Sequence, residues 1–249
     1  MSLPDLSSEP RGAKQDSIRL SVIMPVYNEE EAISAAVAEV QQHVLDLVSG
    51  SELVVVDDGS RDRTGALLDA AAASDPRVNV LHQANGGHGA ALLNGLQRAR
   101  GEYVFLIDSD RQIPLDDFRR AWDEIQAGRD AVFGVRRRRY DPALRLYLSS
   151  LVRESVNVLF RIKLQDANVP YKLFRRAIWS DVRECVPEDT LAPSMFLAIA
   201  AKSRGYNIVE IDVTHKERDT GEVSLRHFRL LKFCAKGFVQ MVGLRSRVR

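Results

Sequence analysis

The sequence predicts an α/β fold in a single domain, with a mostly parallel β-sheet and helices on both of its faces. Short apolar runs alternate with segments of helical periodicity, as in repeated strand–helix–strand units. The connections between these segments are short. Three of the apolar runs end directly in acidic or polar residues, and ligands bind beyond the carboxyl ends of the strands in such sheets.

The elements of the first half follow from their periodicity and from the residues that end them. Continuous apolar runs predict strands at 18–24, 53–56, 78–82 and 103–107. Apolar residues at helical spacing predict helices at 31–48 and 64–73. A glycine-rich turn at 85–89 opens a third helix, which Gly101 ends.

The second half is less regular. A strand is predicted at 131–135, followed by a helix at 142–162. The stretch "LQDANVPYKLFRR" is interpreted as a loop, and it precedes a helix at 193–204 and a strand at 208–213. We divide the domain into a donor half at 18–135 and an acceptor half at 136–249.

Composition excludes several classes of protein. The 249 residues are 45% hydrophobic and 28% charged, as in soluble globular proteins, and the net charge of +1 does not indicate nucleic-acid binding. Cys185 and Cys234 make no metal or redox pattern, so we interpret them as reduced thiols. No apolar run approaches the ~18 residues of a membrane span, and residues 1–17 resemble a flexible leader rather than a signal peptide. We therefore expect a cytoplasmic location.

The end of the fourth strand predicts a metal site. Asp108, Ser109 and Asp110 follow the apolar run directly, and Gln112 lies two residues further on. On an extended backbone the side chains of Asp108, Asp110 and Gln112 would converge on one side. Their oxygen atoms suit Mg²⁺ or Mn²⁺. The alternative is a solvated turn in which Asp110 caps a helix, but the polar ends of two earlier strands favour the metal.

Other nucleotide-binding folds fit the motifs less well. A dinucleotide site requires G-x-G-x-x-G after the first strand, where this chain has "PVYNE". The segment "NGGHGAALLNGL" lacks the Gly-Lys-Ser/Thr ending of a P-loop. Its glycines, including Gly89, either allow an anion to approach a helix N-terminus or simply form a tight turn.

Three segments carry a resemblance to a known family. "SVIMPVYNEEEAI", "ELVVVDDGSRDRT" and "NGGHGAALLNGLQRARGEYVFLIDSDRQIP" occur in the order and spacing of family 2 glycosyltransferases of the GT-A fold. Within that family the chain resembles the dolichyl- or polyprenyl-phosphate sugar transferases. The resemblance spans 18–135 and continues through "VPYKLFRRAI" and "ERDTGEVSLR". It implies an inverting, metal-dependent transfer of a sugar from a GDP- or UDP-linked donor to a polyprenyl phosphate.

The resemblance also implies roles for individual residues. Asp108 and Asp110 would form the D-x-D pair, with Asp110 the catalytic member and Gln112 a further metal ligand. The base, ribose and diphosphate of the donor would be held by a set that we predict to comprise Pro25, Tyr27, Glu29, Asp57, Gly89, Asp108, Ser109 and Arg218. The family's tail pattern R-x-x-G-E-S-K reads Arg-Asp-Thr-Gly-Glu-Val-Ser-Leu-Arg here, with Arg226 as the stand-in for its lysine.

The acceptor class decides which groups the second half must supply. Inverting transfer to a hydroxyl needs a base, whereas a phosphate monoester is already anionic and needs positive charge nearby. Arg136, the first of four consecutive arginines, and Arg226 are the candidates for the acceptor phosphate. Asp166 is the candidate catalytic base for a hydroxyl acceptor, and His215 is a weaker one.

The C-terminal segment predicts an amphipathic helix. Apolar residues recur there at helical spacing, at Leu225, Phe228, Leu231, Ala235, Phe238 and Val242. A basic amphipathic helix either packs on the core or lies on an anionic membrane, so peripheral contact with the cytoplasmic membrane face is one alternative. Two other functions stay open: transfer to a soluble hydroxyl acceptor such as a secondary metabolite, and non-catalytic binding of a nucleotide sugar.

Overall fold

A computed structural model describes residues 18–137, 143–190, 192–216, 239–245 and 247. Seven strands in these ranges form one sheet in the order β3-β2-β1-β4-β6-β5-β7. The strands are β1 (Leu20–Val26), β2 (Ser51–Asp57), β3 (Val78–His82), β4 (Tyr103–Ile107), β5 (Ala131–Arg136), β6 (Tyr171–Arg175) and β7 (Ile208–Val213). Neighbouring strands are parallel except where β6 pairs with β4 and β5. The mostly parallel sheet predicted from the sequence is therefore confirmed.

Helices cover both faces of the sheet, as predicted. They are α1 (Ile33–Val40), α2 (Thr64–Ser74), α3 (His88–Arg98), α4 (Phe118–Gln126), α5 (Ala143–Phe160), α6 (Arg176–Val182) and α7 (Pro193–Ser203). One buried core joins the sheet to α1, α2 and α4, and the other joins it to α3, α5, α6 and α7. Consecutive residues of β1 alternate between these cores, because successive side chains of a strand point to opposite faces.

Three elements depart from the prediction. The helix expected at 31–48 is α1 followed by a π-helical turn, Gln41–Leu45, which keeps Val44 and Leu45 buried. α4 was not predicted because its many charged residues hide a short apolar stripe. The loop interpretation of 164–176 is wrong, since β6 and the start of α6 lie there. The fully buried Lys172 interrupts the apolar pattern of β6, so the sequence did not predict this inner strand between β4 and β5.

The order of the strands opens a cleft between β1 and β4. The chain places β2 and β3 on one side of β1 and β4 on the other, which is a topological switch point. The ladder between β1 and β2 continues to Val26 and Asp57, but the ladder between β1 and β4 stops at Ile23 and Leu106. Pro25 lies beyond that last pair and has no N–H to offer a neighbouring strand. The polar residues after β1, β2 and β4 thus meet at one open edge.

Candidate active site

The loop after β1 is bound to the loop after β2 by main-chain and side-chain hydrogen bonds. The N–H of Asn28 donates to Ser60 Oγ (3.0 Å), and Asn28 Oδ1 accepts from the N–H of Arg61 (2.8 Å). The N–H of Glu29 donates to Thr64 Oγ1 at the start of α2 (2.8 Å). Asn28 has a positive φ of 52°, which asparagine tolerates better than most residues. The motifs "PVYNEE" and "DDGSRDRT" therefore fold as one unit, from which Tyr27 projects with 43% of its surface exposed.

Asp57 lies at the carboxyl end of β2 and is buried. Its Oδ1 accepts from the N–H of Ser60 (3.0 Å), and its Oδ2 lies 2.9 Å from His82 Nδ1. Burial alone would raise the pKa of this carboxyl, but the hydrogen bonds from Ser60 and His82 outweigh it and lower the pKa. Asp57 is therefore held as a carboxylate at the edge of the cleft.

Asp58, the next residue, organises the glycine-rich turn. Its Oδ1 accepts from the N–H of Gly86 (2.8 Å) and the amide of Gln83 (2.7 Å), and its Oδ2 accepts from the N–H of Gly87 (2.7 Å). Gly87 has a φ of 86°, a conformation that favours glycine, and it caps the N-terminus of α3. The predicted donor residue Gly89 is buried in the first turn of that helix.

The acidic loop after β4 is a turn, so the predicted extended backbone is wrong. Ser109 and Asp110 form the turn, and Arg111 has a positive φ of 56°. Asp110 Oδ1 accepts from the N–H of Gln112 (3.1 Å). This contact between an aspartate and the N–H two residues later is typical of a turn and not of an extended strand. The Asp108 side chain is partly buried, with a third of its surface exposed. Burial raises its pKa, the electrostatic influence of His88 acts against this, and the nearby Asp110 raises it further.

Glu39 of α1 fixes the backbone of this acidic loop. Its Oε2 accepts from Arg111 Nε (2.8 Å) and its Oε1 accepts from the N–H of Leu115 (3.0 Å). A left-handed backbone conformation at an arginine costs about 1 kcal/mol or more. The two hydrogen bonds to Glu39 help to stabilise the loop in this conformation. On the other side, the carbonyl of Gln112 accepts from the N–H of Lys216, which follows β7.

Two of the acceptor-site candidates, Arg136 and Asp166, contact each other directly. Arg136 Nε and one terminal nitrogen donate to the two oxygens of Asp166, at 2.8 and 3.0 Å. Both side chains are only 9% exposed. The arginine predicted to bind a phosphate and the aspartate predicted to act as a base thus form one bidentate ion pair.

Lys172 of β6 lies fully buried beside this pair. Its Nζ donates to the carbonyl of Val169 (2.5 Å) and to Ser194 Oγ in the first turn of α7 (2.8 Å). Burial lowers the pKa of Lys172 to about 7, although the nearby Asp166 carboxylate acts in the opposite direction. The charges of Lys172 and Arg136 both act on Asp108, so the acidic loop and the second half share one electrostatic environment.

The structure brings most of the predicted residues to one edge of the sheet. Those at the ends of β1, β2 and β4 or in the first turn of α3 are Pro25, Tyr27, Glu29, Asp57, Gly89, Asp108, Ser109, Asp110 and Gln112. Arg136 is the last residue of β5, Asp166 lies within the loop before β6, and His215 is buried just after β7. Arg218 and Arg226, and all but Val242 of the predicted amphipathic stripe, lie outside the described residues.

The sequence predicted no individual role for four side chains that hold this edge together: Glu39, Asp58, His82 and Lys172. Asp58 stands beside a predicted ligand in "VDDGS" and could have been found there. The contacts of Glu39 and His82 join segments 72 and 25 residues apart, and no local pattern signals them.

The acidic loop fits a divalent cation that also binds a diphosphate. Within the described ranges no group of three or more His, Cys, Asp or Glu side chains is arranged to hold a metal. Mg²⁺ is often bound through one or two carboxylates together with substrate phosphates, rather than by an all-protein cage. Asp108 and Asp110 would supply that pair of carboxylates, and the charge of Asp110 raises the pKa of Asp108.

Fold and site together define a GT-A-type α/β protein with an acidic switch-point cleft. The family model "Glycosyl transferase family 2" matches residues 21–183, and the chain belongs to this family. It is 35% identical, over 85% of its length, to the undecaprenyl-phosphate 4-deoxy-4-formamido-L-arabinose transferase of Pseudomonas aeruginosa. The enzyme of that name from Shewanella sediminis is 31% identical over 82% of the chain. The chain covers 62% and 60% of these two relatives, about three fifths of their length.

Solved structures confirm the fold. The structure of glucosyl-3-phosphoglycerate synthase from Mycobacterium tuberculosis, in complex with Mn²⁺, UDP and glucosyl-3-phosphoglycerate, superimposes with a TM-score of 0.71. The similarity covers 92% of this chain and 80% of the synthase at 18% sequence identity. Among the residues that the structure describes, no helix combines the length and apolarity needed to cross a membrane.

Proposed function

We propose that this chain is an inverting glycosyltransferase that moves a sugar from a GDP- or UDP-linked donor to a polyprenyl phosphate, with Mg²⁺ or Mn²⁺. The observation that carries the proposal is the convergence of Asp57, Asp108 and Asp110 at the switch point between β1 and β4. Ligands of open α/β sheets bind at that point. The names of the family 2 relatives support the lipid-phosphate acceptor, and the Mn²⁺ and UDP of the solved neighbour support the donor and metal.

The donor half would bind the nucleotide and orient the sugar. Asp57 would accept hydrogen bonds from the base or ribose, because it is held as a carboxylate. Tyr27, Glu29 and the first turn of α3 with Gly89 would line the same cleft. Asp108 and Asp110, with Gln112, would hold a divalent cation, which when bound stabilises the negative charge of the departing diphosphate. Arg218 is predicted to contact that diphosphate.

The acceptor end favours a phosphate over a hydroxyl. Both oxygens of Asp166 already accept hydrogen bonds from Arg136, so a proton from a hydroxyl acceptor would compete with a bidentate guanidinium. An anionic phosphate needs no base, and the guanidinium of Arg136 is its predicted contact. A polyprenyl phosphate is a membrane lipid, so the enzyme would work at a membrane surface.

Replacing Asp110 tests the metal-dependent mechanism. Asp110→Asn keeps the oxygen that accepts from the N–H of Gln112 but removes the negative charge. We expect kcat for sugar transfer to undecaprenyl phosphate to fall about 10²–10³-fold, with an unchanged Tm, because electrostatic stabilisation of the leaving group is lost. Transfer is measured by mass spectrometry of the lipid product, with UDP- and GDP-sugars, in Mg²⁺ or Mn²⁺ and in EDTA. Asp116→Asn, whose side chain is 75% exposed on the following turn, is the matched control.

Three outcomes would contradict parts of the proposal. Full activity of Asp110→Asn in EDTA would exclude the metal-assisted mechanism. A product with the donor's anomeric configuration would exclude inversion. Transfer to 3-phosphoglycerate or another soluble hydroxyl acceptor, with none to undecaprenyl phosphate, would replace the acceptor class.

A further inference from the structure

His82, the last residue of β3, bridges two carboxylates. Its Nδ1 lies 2.9 Å from Asp57 Oδ2, and its Nε2 lies 3.0 Å from Asp69 Oδ1 on α2. Asp57 is buried, whereas Asp69 is 67% exposed and His82 is about half exposed. The imidazole therefore connects a predicted donor-binding carboxylate to a surface carboxylate on the neighbouring helix.

Only the doubly protonated ring satisfies both contacts. An ionised carboxylate can only accept hydrogen bonds, and a neutral imidazole has a single N–H. In either neutral tautomer one ring nitrogen would turn its lone pair towards a carboxylate at about 3 Å. Loss of the proton must therefore break or lengthen the contact to Asp57 or the contact to Asp69.

Helix α2 packs closely on the His82–Asp57 pair. A Cβ atom added at Gly65 would lie 3.3 Å from Asp57 Oδ2 and 3.6 Å from His82 Cε1. The first of these distances is tighter than ordinary van der Waals contact, so only a residue without a side chain fits without a shift. The backbone of α2 therefore lies directly against the carboxylate and the imidazole, with no side chain between them.

We propose that His82 is a positioning residue of the donor site, whose imidazolium holds Asp57 in the orientation that binds the nucleotide. The inference rests on the proposed donor function of Asp57. The charged groups facing the ring are Asp69 from α2 and Asp57 from β2. The imidazolium also offsets the charge of Asp57, which favours an anionic ligand beside it.

The pH dependence of donor binding has a definite sign. The hydrogen bonds to Asp69 and to Asp57 raise the pKa of His82 above its ordinary 6.5. Nucleotide affinity is therefore highest at pH values below this raised pKa and falls as the pH rises through it. Because linkage is reciprocal, a bound nucleotide raises the pKa of His82 in turn.

The test measures the Kd of UDP and of GDP with Mg²⁺ by calorimetry between about pH 5.5 and 8.5. For whichever nucleotide binds, we expect the affinity of the wild type to fall about fivefold through the His82 transition, in the usual range of site-to-site coupling. The nucleotide affinity of His82→Gln should lack this fall with pH. At every pH it should be as weak as the affinity of the wild type at high pH. The ligand's own ionisation affects all variants equally, so the wild-type-to-variant ratio is the readout.

Asp69→Asn separates positioning from a purely structural role. Asp69 does not contact Asp57 and lies at the surface, so this variant should keep the low-pH affinity and move the midpoint of the fall to lower pH. NMR titration of the His82 ring should show the same lowered pKa. His43→Gln, on the π-helical turn after α1, is the matched histidine control and should leave the profile unchanged.

The outcomes distinguish this inference from the proposed function. Nucleotide binding whose pH profile is the same in wild type, His82→Gln and Asp69→Asn would overturn the positioning role and leave the donor site standing. A wild type that binds neither nucleotide at any pH would overturn the donor assignment of Asp57 and the inference together.

Discussion

The two halves of the molecule hold their buried charges in different ways. In the donor half, main-chain N–H groups and an amide of the glycine-rich turn surround the Asp58 carboxylate. In the acceptor half, Arg136 and Asp166 neutralise each other, and Lys172 relies on a carbonyl and a hydroxyl. The first arrangement relies mainly on main-chain N–H donors, whereas the second pairs two charged side chains and gives Lys172 neutral oxygen partners. Substitutions of these buried charged residues should therefore change the free energy of unfolding by different amounts in the two halves.

Breaking the ion pair of the acceptor half should have the largest effect. Arg136→Ala leaves Asp166 buried without its guanidinium, which should lower the free energy of unfolding by about 3–5 kcal/mol. Urea denaturation measures the loss. The double variant Arg136→Met/Asp166→Leu should recover most of it, since an apolar pair of similar volume replaces both buried charges.

The neighbouring arginine provides the control for this prediction. Arg137 pairs with Asp212 at 2.7 Å, but both side chains are more than half exposed. Arg137→Ala should therefore change stability by less than about 1 kcal/mol. Equal losses for Arg136→Ala and Arg137→Ala would show that burial does not distinguish the two pairs.

In the donor half, Asp58→Asn should have an intermediate effect. The substitution turns one carboxylate oxygen into an NH₂ group, which then faces an N–H or NH₂ donor of the glycine-rich turn. We expect a loss of about 2 kcal/mol in the free energy of unfolding. Faster proteolysis at 83–87 would locate the damage. Asp123→Asn, exposed on α4, should be neutral, and a neutral Asp58→Asn would mean that the turn holds its own shape.

Lys172→Met should have the smallest effect on stability, and with the opposite sign. Methionine fills similar space without a buried charge, so we expect a gain of about 1 kcal/mol at pH 7. The pKa of Lys172 falls from 10.5 to about 7, so the folded state disfavours the charged form. The gain should be full below about pH 7 and should disappear as the pH approaches 10.5. A loss of stability at pH 7 would show that the two hydrogen bonds outweigh the buried charge.

The donor half was largely predictable because its information is local. Apolar runs that end in polar residues located β2, β3 and β4 to within a few residues, and the shared edge of parallel strands brought Asp57 to the cleft with Asp108. The shape of the acidic loop was not predictable, because Arg111 is held in a left-handed conformation by Glu39, 72 residues earlier.

The acceptor half was less predictable because its structure depends on long-range contacts. Strand β6 returns antiparallel into the middle of the sheet, where its five residues are stabilised by β4 and β5 on either side. Arg136 and Asp166 were assigned to different acceptors because nothing in the sequence shows that they meet. Their charges are complementary only once β5 and the loop before β6 lie side by side.

Pro25 has a consequence for how the sheet assembles. Parallel strands are joined by a ladder of main-chain hydrogen bonds, and each further N–H allows the ladder to extend. At position 25 the chain has no N–H, just beyond the last pair between β1 and β4. Pro25 therefore ends this ladder, and the sheet stays open at the edge where the polar residues after β1, β2 and β4 meet.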